Sequence, residues 1–335
     1  MPEPVPDAGE VAAAFGLPAG AGPLVPVAGA WTNRVFRLVA GGEAYAVKEV
    51  RNPWDLPEWF DRIDEAWRLE QATIAAGVPA PAPVPNPRTS GWRADVDGGA
   101  GEPVPVRVHR WVDGDVVPRV PTSEAIARWC GEVLAAIHAL AMQPLRPEVF
   151  PAPDASSAQR WPALVEALEA ADVAWVDLAH RATPSIEVIA ELQRAVADEP
   201  TRMGHRDIDQ KNLLLTATGP VLCDWDVAGP EHPRVELVDV AVSMARWERP
   251  EVARAVLDGY RGAGGDVGPI TAADLAPTLR SALDWVVLNV ERALGRRGTE
   301  ADRRLGEQHA PELLAALPGR VEAALAIEAF LAEPA

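Results

Sequence analysis

The sequence predicts an α+β fold, with a small β-rich N-terminal lobe followed by a larger helical C-terminal lobe. β-favouring runs occupy the first third of the 335 residues, and apolar residues recur at helical spacing through most of the rest. One β-hairpin interrupts the helical part. A chain of this length can hold two lobes with a sizeable core. We predict an N-terminal lobe at residues 1–108, a hinge at 109–114 and a C-terminal lobe at 115–335.

The composition is that of a globular and strongly acidic protein. Its formal net charge of −18 argues against nucleic acid or an anionic membrane surface as a partner, and weakly favours a cationic one. Two cysteines are too few for a disulfide framework or a zinc site. The first residues lack the pattern of a signal peptide, and no apolar run approaches the ~20 residues that span a bilayer. We therefore expect a cytoplasmic protein, and the oligomeric state stays open.

A short helix and three strands are predicted to open the N-terminal lobe. The helix falls at Glu10–Gly16 and the first strand at Pro23–Val27. Val35–Val39 and Ala44–Val50 are β-favouring runs joined through Gly41-Gly42, and this spacing predicts a hairpin.

Two features of this hairpin are candidates for binding a phosphate. The residues before it, which include Gly29, Thr32 and Asn33, can form a tight loop whose backbone approaches a ligand closely. Lys48 lies in the second strand. A strand lysine is usually a solvated surface residue. The alternative is a cation for the α and β phosphates of a nucleotide, held in place by a glutamate from a helix.

The next helix supplies that glutamate. Its apolar residues Trp59, Ile63, Trp67 and Ile74 form an approximate stripe that is typical of core packing. Glu65 is the preferred partner for Lys48 and Glu70 is the alternative. The helix is predicted to stop at Gly77-Val78-Pro79, where a glycine precedes a proline.

A Pro- and Gly-rich stretch, Ala80–Pro105, leads into a further strand at Val104–Val112. Small residues at the end of this strand suit a connection between lobes. Its backbone there could meet the edge of an adenine, and His109 and Trp111 are the residues that we predict to bind the nucleotide.

The C-terminal lobe is predicted to be mainly helical. Thr122 or Ser123 can cap its first helix, whose apolar positions continue to Leu140. Further helices are predicted at Trp161–Ala170, Ile186–Asp198, Val235–Trp247, Leu279–Leu294 and Ala310–Leu331.

The chemistry is predicted to lie in Met203–Pro230, where HRDIDQKN precedes a hairpin and then CDW. The hairpin returns its far end to its near end, so Asn212 and Asp224 should lie side by side with Asp207 close by. Carboxylate and amide oxygens suit a hard cation such as Mg²⁺, with phosphate oxygens completing its shell. Kinases use such a set, with one Asp for the substrate hydroxyl and an Asn and an Asp for the metal.

Taken in order, these features resemble the aminoglycoside phosphotransferase and choline kinase-like family, whose members have a protein-kinase-like fold with two lobes. Trp31–Phe36 and Ala44–Lys48 look like the nucleotide loop and lysine strand of that family. EAWRLEQATIAAGVPAP looks like its glutamate helix, VLAAIHAL like a helix of the C-terminal lobe, and VLCDWDVAGPEHPRVEL like its metal segment. The resemblance extends over most of the chain.

The resemblance implies a role for each matched residue. Asp207 would be the catalytic aspartate, Asn212 and Asp224 would hold Mg²⁺, and Lys48 would contact the phosphates of ATP, with GTP as an alternative donor. His205 would be structural. Other residues depart from the pattern or stay ambiguous: the family usually has Gly where Arg206 stands, and Asp226 is read as a solvated loop carboxylate rather than a second metal neighbour.

The predicted function is an ATP- and Mg²⁺-dependent kinase that phosphorylates a hydroxyl of a small molecule, such as an aminoglycoside or another cationic antibiotic. Acceptors known in the family also include choline-like alcohols, sugars and amino-acid alcohols. Two alternatives stay open, a nucleotide-binding regulatory protein without turnover and a kinase acting on protein, as Arg206 hints.

Overall fold

The computed structural model describes residues 5–28, 33–52, 56–99, 102–150, 157–194, 200–266 and 268–332. Contacts divide the chain into two compact units. Unit 1 comprises Met1–Pro118, Ala136–Phe150 and Met203–Pro230, and unit 2 comprises Arg119–Ala135, Pro151–Arg202 and Glu231–Ala335. The segment with the predicted catalytic residues thus groups with the N-terminal strands. The units are not the same segments as the predicted lobes, whose boundaries stay a prediction.

Strands dominate the first part of the chain and helices the second, so the predicted α+β fold class is confirmed. The first elements are α1 (Ala8–Ala14), β1 (Val25–Val27), β2 (Arg34–Ala40), β3 (Glu43–Glu49), α2 (Trp59–Ala75), β4 (Pro83–Val84), β5 (Ala94–Asp97), β6 (Pro103–Arg110) and β7 (Asp115–Val116). The chain continues with α3 (Glu124–Ala139), α4 (Ser157–Ala170), α5 (Val176–Arg194), β8 (Arg202–Gly204), β9 (Leu213–Thr216), β10 (Gly219–Leu222), β11 (Gly229–Glu231), α6 (Pro233–Ala245), α7 (Pro250–Gly262), α8 (Ala276–Ala293) and α9 (Glu300–Ala332).

An antiparallel sheet forms the main part of unit 1. Its strand order is β1-β2-β3-β6-β4, and β5 also pairs with β6. The predicted hairpin is present as β2 and β3, with Val35 opposite Lys48, and both turn glycines have positive φ. Alternate residues of these strands, such as Phe36, Leu38 and Val47, are buried in the core of the sheet. Lys48 therefore lies on the opposite face of β3 from Val47.

Helix α2 also belongs to unit 1 and carries two buried glutamates. Ile63, Ala66 and Leu69 are fully buried, as an amphipathic helix requires. Glu65 and Glu70 are buried as well. The helix ends at Ala75, and Gly77 follows with a φ of 91°, so the predicted Gly stop is confirmed.

The predicted hairpin of the catalytic segment is β9 and β10, with Leu213 opposite Leu222 and Thr216 opposite Gly219. Strand β7 pairs with β9 and completes a three-stranded sheet. Because Leu213 and Leu222 are paired, the residues that flank the hairpin, Asn212 and Cys223, are neighbours.

Unit 2 consists mainly of helices. A close approach joins α3 and α7, since a Cβ atom on Gly131 would overlap the carbonyl oxygen of Val256, and one on Gly259 would overlap that of Arg128. The predicted helices are present, but α5 begins earlier than Ile186 and α9 earlier than Ala310, and residues 195–198 of the helix predicted at Ile186–Asp198 lie outside the described residues. Helix α7 was not predicted. Within the described ranges, no helix is both long enough and apolar enough to cross a membrane.

Candidate active site

The side chain of Asp207 is held by residues that follow it in the same loop. Asp209 caps a single turn of 3-10 helix, Gln210–Asn212, and its side chain accepts a hydrogen bond from the Lys211 backbone N–H. That turn brings the Asn212 amide to Asp207, where Nδ2 donates to the backbone oxygen and to Oδ2, both at 2.8 Å. Lys211 Nζ lies 2.9 Å from the other carboxylate oxygen, Oδ1. Both oxygens of Asp207 therefore have fixed partners.

His205 ties this loop to the end of the hairpin. Its Nε2–H donates to the carbonyl oxygen of Cys223 at 3.2 Å, and its Nδ1 accepts from the backbone N–H of Asp207 at 3.3 Å. The ring is fully buried and meets Trp225 edge to face, with 4.6 Å between centroids. These contacts use both ring nitrogens, which fits a positioning role and not that of a base.

The hairpin places Asp224 beside the catalytic loop. The Cys223 backbone N–H donates to the Asn212 carbonyl at 2.8 Å, so the residue after Cys223 lies next to Asn212. Asp224 has a φ of 66°, a left-handed conformation that is uncommon for a residue with a side chain. Its Oδ1 accepts a hydrogen bond from Lys48 Nζ at 2.7 Å. The predicted lysine and metal aspartate are thus in direct contact.

Asp226 is the centre of the polar cluster, and its interpretation as a solvated carboxylate was wrong. Only 3% of it is exposed. Its Oδ2 accepts from Lys48 Nζ at 3.0 Å and from Asn33 Nδ2 at 2.8 Å, and its Oδ1 accepts from Arg107 Nη1 at 2.6 Å. Three donors from three distant parts of the sequence therefore hold this carboxylate.

Arg107 extends the cluster into the core. It lies on β6, is 1% exposed, and pairs with Glu70 of α2 as well as with Asp226. The other Glu70 oxygen is 2.9 Å from His109 Nε2. Arg107 was not singled out from the sequence, where an arginine in a strand gave no reason to expect burial.

The predicted pairing of Lys48 with Glu65 or Glu70 is not present. Glu65 pairs with Arg68 and Arg146 and accepts from the Leu145 backbone N–H at 2.9 Å. Glu70 is occupied by Arg107 and His109. Lys48 instead pairs with Asp224 and Asp226. A helix glutamate still reaches the lysine indirectly, through Arg107 and Asp226.

Burial and charge act against each other in this cluster. Burial lowers the pKa of Lys48, but the carboxylates of Asp224 and Asp226 outweigh it and hold that pKa above its ordinary value. Burial raises the pKa of Asp226, but Lys48 and Arg107 outweigh it and hold that carboxyl well below its usual range. For Asp207 burial prevails over Lys211 and raises the pKa. Lys48 and Asp226 are therefore a stable ion pair at neutral pH.

The backbone conformation at Arg206 explains why the family usually has Gly at this position. Its φ is 63°, in the left-handed region where glycine is favoured. Its guanidinium lies against Gly229, where a Cβ atom would be 3.1 Å from Arg206 Nη1 and 2.9 Å from the ring of Phe150. The conformation is thus one that the usual Gly adopts without strain.

The predicted nucleotide residues fall in different places. Gly29 and Thr32 lie outside the described residues. Asn33 reaches the cluster through Asp226, and its Oδ1 accepts from the Arg51 backbone N–H at 2.9 Å. The Trp111 backbone N–H donates to the Ala44 carbonyl within the sheet, so that group is not available to an adenine edge. The His109 side chain faces Glu70.

The predicted metal ligands have oxygens with the right chemistry. Asn212 directs its amide nitrogen at Asp207, so its Oδ1 faces away from that residue, and Asp224 Oδ2 accepts no hydrogen bond from the described residues. No group of three His, Cys, Asp or Glu residues in the described part of the chain could hold a metal by itself. One carboxylate and one amide oxygen are instead suited to a hard divalent cation that would take its other ligands from a bound substrate or water.

The family model for the phosphotransferase enzyme family matches residues 23–270 of this chain. No curated protein matches the sequence. Solved structures do share its fold. A spectinomycin phosphotransferase in complex with ADP and spectinomycin is 12% identical, with a TM-score of 0.68, and the match covers 96% of this chain and 97% of that one.

Two further structures are similar. An amicoumacin kinase in complex with AMP-PNP and Ca²⁺ is 12% identical with a TM-score of 0.62, covering 92% of this chain and 93% of that one. A microcompartment-associated aminopropanol kinase is 16% identical with a TM-score of 0.62, covering 95% and 98%. At these identities the likeness establishes the fold, which is the predicted kinase-like one.

Proposed function

Because the chain belongs to the phosphotransferase enzyme family, we propose that it transfers the γ-phosphoryl group of ATP to a hydroxyl of a small molecule, with Mg²⁺ as the metal. Membership of the family makes it a small-molecule phosphotransferase with an alcohol group as acceptor. The donor, the metal and the residue roles are our proposal. The cytoplasm stays the predicted location.

One observation carries the proposal. Asp207, Asn212, Asp224 and Lys48 come from separate stretches of sequence, and each contacts another member of the set. A solvated hairpin end gives no reason for such convergence. Phosphoryl transfer requires it, because catalysis depends on positioning and on charge neutralisation rather than on covalent chemistry by the protein.

On the nucleotide side, Lys48 would donate to the α and β phosphates. Asp226 holds its ammonium from one side, so Lys48 can exchange its bond to Asp224 for a phosphate oxygen without losing its position. Asn33 donates to Asp226, and we propose that the residues before it, which include Gly29 and Thr32, form the predicted loop over the phosphates. The segment 109–114 remains the proposed site for adenine, through backbone groups beyond Trp111.

On the metal side, Asn212 Oδ1 and Asp224 would hold Mg²⁺. The metal, when bound, neutralises negative charge on the β and γ phosphates. Two neighbours with the same fold support a nucleotide and a divalent cation, since one binds ADP and the other AMP-PNP and Ca²⁺.

Asp207 would receive the acceptor. Its carboxylate orients the hydroxyl for attack and takes the proton as the new bond forms. Asn212 and Lys211 hold it in one orientation, so the acceptor meets a fixed oxygen rather than a rotating side chain. This preorganisation is what makes a positioned group effective.

The acceptor is proposed to be a cationic alcohol, such as an aminoglycoside or another amino-bearing antibiotic. Similar proteins act on spectinomycin and aminopropanol, and the net charge of −18 favours approach of a cation. A choline-like alcohol, a sugar or an amino-acid alcohol is the alternative, because the fold does not choose between acceptors.

The test is ADP release with ATP, Mg²⁺ and a panel of aminoglycosides, amino alcohols and sugars. We expect acceptor-dependent turnover, and we expect Asp207→Ala to reduce it by roughly two to four orders of magnitude. ATP affinity measured by calorimetry should hardly change. Asp95→Ala, which removes an exposed carboxylate on β5 outside the cluster, is the matched control and should keep full activity.

Other outcomes would favour other functions. Tight ATP binding without ADP release across the panel would favour a regulatory nucleotide-binding protein, and phosphate incorporated into added protein would favour a protein kinase. Full turnover by Asp207→Ala would refute the assignment of that residue.

A further inference from the structure

Lysine is almost absent from this chain, and both of its lysines lie in the candidate active site. The sequence contains 31 basic residues, of which 29 are arginine and two are lysine, Lys48 and Lys211. Lys48 Nζ is 2.7 Å from Asp224, and Lys211 Nζ is 2.9 Å from Asp207. In the other ion pairs of the described residues, the basic partner is an arginine or a histidine. The two lysines of the sequence are therefore the residues that contact Asp224 and Asp207.

At the position of Lys211, a lysine and an arginine would bind the Asp207 carboxylate differently. An ammonium is a compact point charge that can bind one oxygen, whereas a guanidinium presents a planar fork that matches both oxygens of a carboxylate. Lys211 binds only Oδ1 of Asp207, which leaves Oδ2 to Asn212. A bidentate arginine would compete with Asn212 and would occupy the carboxylate that has to meet the acceptor.

We propose that Lys211 is a further residue of the phosphoryl-transfer site. It holds Asp207 through one carboxylate oxygen and donates hydrogen bonds to the oxygens of the phosphoryl group during its transfer. The proposal rests on the proposed function. An ammonium has three N–H donors. Among the described residues, the Asp207 carboxylate is the group that Lys211 Nζ contacts, and the side chain is 36% exposed. Donors thus remain for a ligand that meets Asp207.

The reaction itself places negative charge next to this ammonium. The acceptor oxygen forms a bond to the γ-phosphorus while the bond from that phosphorus to the bridging oxygen breaks, and its electron pair leaves with ADP. The acceptor proton passes to Asp207. Charge is spread over the three other oxygens of the transferred group during this step. Because the new bond forms within reach of Asp207, an ammonium 2.9 Å from Asp207 is beside that charge.

A merely structural role predicts a different result. Exposed ion pairs contribute little to stability. If Lys211 were one of them, Lys211→Met should resemble the loss of any surface pair, and Lys211→Arg should be silent because the charge is kept. Arg303→Met is the control, because Arg303 is a half-exposed residue of α9 that pairs with Glu300 and Glu307.

The experiment measures kcat and KM for ATP in the wild type, Lys211→Met, Lys211→Arg, Arg303→Met and Asp207→Ala. We expect Lys211→Met to lower kcat on the order of 100-fold, as removal of one donor to developing charge does in other enzymes. KM for ATP should change by less than about threefold, because the contact is made mainly in the transition state. Lys211→Arg should also lose at least about tenfold in kcat. Unfolding midpoints of the two Met variants should match.

The results separate the two proposals. If Asp207→Ala is inactive while Lys211→Met or Lys211→Arg keeps wild-type kcat, the role of Lys211 is refuted and the proposed function stands. A rise in KM for ATP with unchanged kcat would also refute it, because that pattern belongs to ground-state binding. If the wild type releases no ADP with any acceptor, the proposed function fails, and the role of Lys211 fails with it.

Discussion

Replacing Arg107 with methionine is expected to be among the most destabilising single changes in unit 1. The guanidinium pairs with Glu70 and with Asp226, and all three side chains are buried. Methionine keeps the apolar stem of the arginine, so the change removes mainly the guanidinium and its contacts. Each of the two carboxylates then loses its ion pair with Arg107. Among the described residues, Glu70 then keeps His109, at 2.9 Å, while Asp226 keeps Lys48 and Asn33.

The expected loss follows from this geometry. Removing one partner of a buried ion pair typically costs about 3–5 kcal/mol, because the remaining charge is left uncompensated in a medium of low dielectric. Asp226 retains two donors, so most of the loss should come from Glu70. Arg107→Met should therefore lose about 3–5 kcal/mol, and the double variant Arg107→Met/Glu70→Gln, which neutralises the stranded carboxylate, should recover about half of it or more.

Urea unfolding followed by tryptophan fluorescence measures these changes. The transitions should be fitted for each unit, since a chain with two compact units need not unfold in one step. A control is Arg93→Met, which removes a half-exposed arginine that pairs with Asp95 and lies over the Phe60 ring, and which should change stability by about 1 kcal/mol or less. The reasoning is refuted if Arg107→Met behaves like that control, or if adding Glu70→Gln makes the single variant less stable.

Two further predictions concern packing and pH. Gly131→Ala would set a methyl group against the Val256 carbonyl oxygen, so unit 2 should lose about 1–3 kcal/mol in the same urea assay; an unchanged midpoint would contradict the close approach of α3 and α7. Burial lowers the pKa of His109 below its ordinary value despite Glu70. The unfolded chain therefore takes up a proton as pH falls through about 6.5 while the folded chain does not, and stability should decline from that pH downward. His109→Gln should show a shallower decline between pH 7 and 5, and parallel curves for the two proteins would refute this.

Local sequence pattern was enough for the hairpins and for the catalytic loop. Gly41-Gly42 between two β-favouring runs allows only a tight reversal, and the structure has that hairpin. The segment Asn212–Asp224 was equally readable, because a hairpin fixes the distance between its own ends. Asp207, Asn212 and Asp224 therefore came together as expected.

Contacts between distant segments could not be read in this way. Asp226 looks like a loop carboxylate because nothing near it in sequence signals Arg107, which is 119 positions away. Glu65 and Glu70 were also indistinguishable. Five residues turn an α-helix through about 140° beyond a full turn, so the two side chains leave α2 in different directions. The packing of α2 decides which of the two glutamates faces the sheet, and the sequence alone does not show that packing. In the structure, Glu70 is the one that contacts Arg107.

The charges of the cluster bear on the role of the metal. Four carboxylates face three cations, and His109 is neutral at pH 7 because its pKa is lowered. The cluster thus carries a net charge of about −1 from Glu70, Asp207, Asp224, Asp226, Lys48, Lys211 and Arg107. Bound ATP would add several negative charges next to this cluster. If Lys48 exchanges Asp224 for a phosphate oxygen, as proposed above, the Asp224 carboxylate needs another cation. The proposed divalent ion at Asp224 and Asn212 would meet both needs, because it would take the place of Lys48 on the carboxylate and offset the negative charge of the phosphates. Nucleotide and metal should therefore bind to this site cooperatively.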